Sequence, residues 1–218
     1  FSEMIKTFEI VHKGWNGFNL LHKAASRVAG LDIGFVPNNK TGKSAKKMLA
    51  DAGDGNMGMI WLLGADEIDT SKLDNCFIVY QGHHGDAGAH AADVILPGAA
   101  YTEKNGLYLN FEGRVQETKR AAFPPGEAKD DWSIIRAFSA VIGQPLAFDT
   151  HDACRQNLIT NFPHFAEIGQ ILPSRWKRVG KSGKISTDPI VPSLQEFYMT
   201  CSISRASKTM AESRTSRE

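Results

Sequence analysis

Cysteine is scarce in this chain of 218 residues, which holds three, Cys76, Cys154 and Cys201, an odd number at wide spacings. Such a set excludes a disulfide framework and the grouped thiolates that a zinc site or an iron–sulfur cluster takes. It fits a reducing compartment. Long apolar runs are missing as well. Stretches such as Met59-Ile60-Trp61-Leu62-Leu63 fall far below the roughly 18 to 20 residues of a membrane-spanning helix, so any membrane association is expected to be indirect. Neither sign of charge dominates, since 25 Lys and Arg stand against 24 Asp and Glu for a formal net charge of +1. No global field draws the chain onto nucleic acid or an anionic membrane, and its partners are expected to be recognised by shape. There are no internal repeats and no sustained heptads. No leader segment is visible either. The chain opens on Phe1 rather than Met, which a cleaved transit peptide, a fragment or one piece of a split subunit would each explain.

Catalytic patterns are equally thin. No Gly-x-Ser-x-Gly elbow occurs. Gly42-Lys43-Ser44 and Gly180-Lys181-Ser182 invite a phosphate-loop reading, but Pro37 and Arg175 stand where the Walker pattern needs its first glycine, so both read as solvated loops. His83, His84 and His90 could be taken for metal ligands. Adjacent histidines in an extended segment point apart, and His90 has no spacing that forces convergence, so they read as hydrogen-bonding residues shaping a loop. Glu103 and Glu112 could be an acid and base pair, but nothing fixes the separation such a pair requires. They read instead as backbone anchors or ion-pair partners, with Arg114 placed to fork onto a carboxylate or onto carbonyls at a hairpin base. Cys76 reads as a small hydrophobe at the start of a buried strand. The basic run from Arg175 to Lys184, around Trp176, lacks any RNA-binding motif and reads as a protein-facing or solvated loop. No catalytic, cofactor-binding or metal-ligating residue is expected in the chain itself.

What the sequence does contain is strand and helix patterning. Met59 to Leu63, Phe77-Ile78-Val79-Tyr80 and Val94-Ile95-Leu96 are three unalternating apolar runs about a dozen residues apart. They predict parallel strands buried on both faces, with crossovers just long enough for a short helix. Pro97 closes the third. Leu107 to Asn110 and Arg114 to Thr118 predict a projecting hairpin whose loop, Phe111-Glu112-Gly113, needs a left-handed residue at Gly113. Phe18, Leu21, Ala25 and Val28 recur at helical spacing, which predicts a helix from an Asn16 cap to about Ala29, ended by Gly30. Asp130 is the expected cap of a second helix, with Trp132, Ile135, Phe138 and Ile142 on its core face and Gly143 and Pro145 after it. The fold class is thus α/β, an open, mainly parallel sheet with helices on both faces, over residues 1–145. Residues 146–218, thin in apolar content, are expected to form an irregular C-terminal extension. Ligands in such sheets sit outside the carboxyl ends of the strands, here Gly64-Ala65-Asp66-Glu67, Gln81-Gly82-His83-His84 and Pro97-Gly98.

Several of these stretches carry a resemblance. Ala92-Asp93-Val94-Ile95-Leu96-Pro97, Glu103-Lys104-Asn105-Gly106 and Asn110-Phe111-Glu112-Gly113-Arg114-Val115-Gln116 resemble a segment shared by molybdopterin-dependent oxidoreductases and a respiratory relative. Gln81-Gly82-His83-His84-Gly85-Asp86, Pro97-Gly98-Ala99-Ala100-Tyr101, Asp131-Trp132-Ser133-Ile134-Ile135-Arg136 and Phe197-Tyr198-Met199-Thr200 with Ser202-Ile203-Ser204-Arg205-Ala206-Ser207 are similar to the large iron–sulfur (75 kDa) subunit family of mitochondrial complex I. The likeness runs from about Lys13 to Met210 and corresponds to the C-terminal third or so of that subunit. It implies a molybdopterin oxidoreductase-like domain without a redox centre, a structural part of the peripheral arm that carries electrons from NADH through iron–sulfur clusters to ubiquinone. The clusters are expected in an N-terminal region or a partner polypeptide, the partners in the other peripheral-arm subunits, and the location on the matrix side of the mitochondrial inner membrane. The alternative is a fragment of a molybdopterin enzyme of the formate dehydrogenase type, with strand-end glycines lining a live cofactor cleft.

Overall fold

The computed structural model describes residues 2–22, 24–37, 42–65, 67–173, 183–184, 187–189, 191 and 198–216. The elements in chain order are α1 (Ser2–Thr7), β1 (Val11–His12), β2 (Trp15–Asn16), α2 (Arg27–Asp32), α3 (Ala45–Gly53), β3 (Met59–Leu63), β4 (Phe77–Gly82), α4 (Ala87–His90), β5 (Val94–Pro97), β6 (Gly106–Leu109), β7 (Val115–Thr118), α5 (Asp131–Val141), α6 (His151–Asn161), a 3-10 turn at Pro163–Ala166, α7 (Ser202–Ala206) and α8 (Lys208–Thr215). Among the described residues no helix is long and apolar enough to cross a membrane.

The three apolar runs form one parallel sheet in the order β3-β4-β5. Side chains alternate across it. Ile60, Leu62, Ile78 and Tyr80 project to one face, where they pack with Ala52 of α3, Leu73, Cys76 and Ala89 of α4. Trp61, Val79 and Gln81 alternate with them to the other face, where the Trp61 ring meets Phe138 of α5 edge-on at 4.8 Å. Successive parallel strands added in one direction with crossovers of one hand place both crossovers on the same side. Leu73 and Ala89 accordingly share the first face, and α5 is left to cover the second.

Two details of the sheet differ from expectation. The first crossover, between β3 and β4, carries turns rather than a helix among its described residues; Asp69 accepts from the Ser71 N–H at 3.1 Å, and Leu73, 1% exposed, fills the core where a helix would lie. Moreover β5 is an edge strand, not one buried on both faces, and Ile95 is 54% exposed. Its outer side is met only beyond Pro97, where Lys129 donates to the Pro97 carbonyl and accepts from Ala99. An unalternating run of three apolar residues cannot distinguish a central strand from an edge strand.

The hairpin forms as read. Leu109 opposes Val115, Gly113 has φ +83°, and the Asn110 carboxamide oxygen accepts from Glu112 and Arg114 N–H groups, each at 3.0 Å. Its inner side chains are covered. Leu109 and Val115 pack on Phe165, with Val28 and Ala29 of α2 and Leu158, Ile159 and Phe162 around them. This second core draws on residues beyond 145, which their overall polarity conceals.

The helix expected from Asn16 to Ala29 forms only at its end, as α2. Gly30 lies inside that helix, and Gly34 takes the left-handed conformation instead, with φ +75°. Leu21, on the face meant for the core, is 78% exposed. Helices of this length draw most of their stability from packing an apolar face, and no described residue covers this one. In contrast, α5 starts after Asp130 and ends before Gly143 as expected.

Candidate functional site

The carboxyl ends of β3, β4 and β5 form a crest closed by the chain itself. Gln81, fully buried, donates from Nε2 to Asp131 Oδ1 at 2.9 Å, and the same carboxylate pairs through Oδ2 with Lys104. Asp131 is the first residue of α5, so this network ties the centre of the sheet to the helix on its second face. Gln81 Oε1 is buried without a partner among the described atoms. The crest glycines are occupied by packing. A Cβ on Gly82 would sit 2.5 Å from the Tyr80 hydroxyl, one on Gly88 2.7 Å from the Ala65 carbonyl, and one on Gly98 3.0 Å from Asp131 Oδ1. The buried Tyr80 ring lies along β4 over Gly82, and its hydroxyl donates to the His84 carbonyl at 2.9 Å.

A residue from the far end of the chain completes the closure. Arg205 of α7 donates from Nε to Asp86 Oδ2 at 2.5 Å and from Nη1 to Glu67 Oε1 at 3.3 Å. Glu67 follows β3 and Asp86 follows β4, so one guanidinium bridges both strand-end loops. Its hydrogen bond holds the Asp86 carboxyl below its ordinary value, more than partial burial raises it. Cys201, at the cap of α7, is lowered by hydrogen bonds from Ser204, whereas burial raises Cys76 and Cys154.

The histidines fall in this region with a corrected geometry. His83 and His84 do not point apart: their rings meet edge-on at 4.9 Å with Nδ1 atoms 2.7 Å apart. The chain leaves its extended path after Gly82, and alternation ends with it. His90 lies at the end of α4. Among the described residues no group of three or more His, Cys, Asp or Glu side chains comes together as a metal site.

The two glutamates are anchors in separate places. Glu103 Oε2 accepts from the Ala100 N–H at 2.9 Å, and Glu112 lies 3.7 Å from Arg114, whose Nη1 donates to the Gly169 carbonyl at 2.6 Å. Lys43 and Lys47 both pair at 2.6 Å with Asp51, while Ser44 caps α3. These bonds lower the Asp51 carboxyl, Lys43 first, and leave Gly42-Lys43-Ser44 as a helix entrance. Gly180-Lys181-Ser182, Trp176 and the basic run up to Ser182 lie outside the described residues.

The sequence did not foretell a cleft of about 260 Å³ beside the crest, between the hairpin, the start of α5 and α6. It is lined by Trp132, His151 and Cys154, and its charges are committed as Lys104 with Asp131 and Arg155 with Glu117. Lys119 and Arg155 together hold Glu117 below its ordinary value. The only advance sign of this cleft is the acidic start of α5. Its other wall needed the packing of α6 on the hairpin.

Comparison with known proteins places these features. A family model described as molybdopterin oxidoreductase matches residues 1–141, and one for the C-terminal region of a large NADH-ubiquinone oxidoreductase subunit matches residues 175–213. The chain is 42% identical over 212 residues to NADH dehydrogenase (ubiquinone) iron-sulfur protein 1, mitochondrial, of Solanum tuberosum, covering 95% of this chain and 27% of that protein. It is 41% identical over 217 residues to the NADH-ubiquinone oxidoreductase 75 kDa subunit of Reclinomonas americana, covering 96% and 31%. It is 44% identical over 209 residues to the NADH-ubiquinone oxidoreductase 78 kDa subunit, mitochondrial, of Candida albicans, covering 91% and 27%. The chain therefore spans less than a third of the length of these relatives.

A molybdopterin, the group implied by the first match, finds a poor fit at this crest. Its anionic phosphate needs open glycine backbone or uncommitted cations. Gly82, Gly88 and Gly98 are packed against protein atoms, Lys104 and Arg205 are held by carboxylates, and Glu67 and Asp86 add negative charge.

Proposed function

This chain belongs to the molybdopterin oxidoreductase family, and on that premise we propose that it is a structural part, without a redox centre of its own, of the 75 kDa subunit of NADH:ubiquinone oxidoreductase. In this role it sits in the peripheral arm, on the matrix side of the mitochondrial inner membrane. It supports the region in which electrons pass from NADH through iron–sulfur clusters to ubiquinone. The clusters belong to the part of the relatives' length that this chain does not span, and that part is its nearest partner.

The observation that carries this reading is the terminal module. Residues 175–213 match the model for the C-terminal region of the respiratory subunit, and Arg205 within that stretch spans Glu67 and Asp86 at the strand ends. A segment particular to that subunit thus fills the crest where the oxidoreductase fold takes ligands. Electron transfer between fixed clusters needs a rigid support, and a sheet tied to α5 through Gln81 and Asp131 and to α7 through Arg205 supplies one.

The test is native-gel separation of a mild-detergent mitochondrial extract, with NADH-dehydrogenase staining and mass spectrometry of every band containing the chain. Co-migration with the active high-mass band, beside a cluster-bearing polypeptide, supports the proposal. Migration only as a small free species refutes it. The family match itself favours a second reading, a fragment of a molybdopterin enzyme of the formate dehydrogenase type. Stoichiometric molybdenum or tungsten in the purified assembly would decide for that reading.

A further inference from the structure

We infer that residues 17–29 form a docking segment that becomes a continuous helix, extending α2 backward to Asn16, when it seats against the polypeptide supplying the remainder of the oxidoreductase domain. The inference rests on the functional reading above and adds the contact surface and its conformational change.

Both ends of the longer helix are already prepared. Asn16 Oδ1 accepts from the Phe18 N–H at 3.1 Å, the bond that a helix cap makes to the second residue of its helix. At the observed start of α2, Ser26 has helical φ and ψ of −79° and −9° and makes no side-chain cap bond. Nothing there stops the helix from continuing toward the N-terminus. Between these points Phe18, Leu21, Ala25 and Val28 fall within about a quarter turn of one another on a helix. The pattern is a core-facing one, yet Leu21 is exposed.

The neighbouring surface is apolar as well. Trp15, Leu20, Phe35 and Val36 are each more than half exposed. A groove of about 340 Å³ separates Leu21 and Val28 from Tyr108 and Phe111 of the hairpin. The matching family model takes in this segment, since its match covers residues 1–141. Relatives sharing 41–44% identity contain more than twice as much chain again. The polypeptide corresponding to that additional length is therefore the occupant to which this face is fitted. Ordering a segment against a partner offsets the entropy that keeps it open when alone.

The test compares hydrogen exchange of the full chain, purified alone, with that of the same chain in the isolated NADH-dehydrogenase complex, together with lysine crosslinking from Lys13. Amides of 21–29 should exchange at least tenfold more slowly in the complex, and Lys13 should crosslink to the polypeptide matching the relatives' additional length. Leu21→Asp should lower incorporation into the complex about tenfold or more, as burial of a leucine is lost, while Leu21→Met should preserve it. Equal exchange in both states overturns the inference, as does crosslinking only to a second copy or to an unrelated chain. Absence of the chain from the active complex overturns both this inference and the functional reading. Presence in it with 21–29 unprotected overturns the refolding alone.

Discussion

Gly82→Ala tests the claim that the crest glycines serve packing. Residues two apart on a strand share a face, so the Tyr80 ring lies where the new methyl must go. The methyl carbon would stand 2.5, 2.6 and 2.8 Å from Oη, Cζ and Cε1, where ordinary contact begins at 3.4 Å. The ring must therefore move by about 1 Å within a core in which Tyr80 is 2% exposed. Overpacking of this kind costs about 1–3 kcal/mol. The displaced hydroxyl also loses its bond to the His84 carbonyl, a further 0.5–1.5 kcal/mol or so. With a urea slope of about 2–3 kcal/mol per molar, a total near 2–4 kcal/mol lowers the unfolding midpoint by about 1 M. Gly85→Ala is the control, because its Cβ meets nothing within 4 Å, and it should change stability by less than about 0.5 kcal/mol. Urea titration followed by tryptophan fluorescence reads both. Equal midpoints for the two variants would refute the packing account and reopen the crest as a ligand cradle.

Arg205→Met should destabilise the attachment of α7 by about 1–3 kcal/mol at pH 7, from lost charge-assisted hydrogen bonds. Asp86 has a lowered pKa in the folded chain, so the stability it contributes is present above its unfolded value near 3.9 and is lost as pH falls through the lower folded value. The difference between wild type and Arg205→Met should thus close in acid, and a gap unchanged at pH 3 would contradict the clasp. Gly113→Val places a β-branched residue at φ +83° with open space around it. The cost is backbone strain of about 1–2 kcal/mol or more, and complex assembly should fall while turnover per assembled complex holds. Normal assembly with slowed turnover would count against a structural role. Phe165→Ala, at a site 2% exposed, should cost about 3–5 kcal/mol; thermal unfolding near the wild-type temperature would show that the second core is dispensable.

The sequence by itself determined the local elements whose causes are local. Three apolar runs became parallel strands, Gly113 and Asn110 shaped the hairpin loop, and Asp130 began α5, because strand period, turn conformation and capping each act within a few residues. Tertiary structure decided what depends on neighbours far along the chain. It made β5 an edge, buried Phe165 against the hairpin, and brought Arg205 onto Glu67 and Asp86 across more than a hundred residues. It also left Leu21 outside. Its helical spacing states a preference, but a helix face forms only where something covers it, and what covers this one is not written in its own residues.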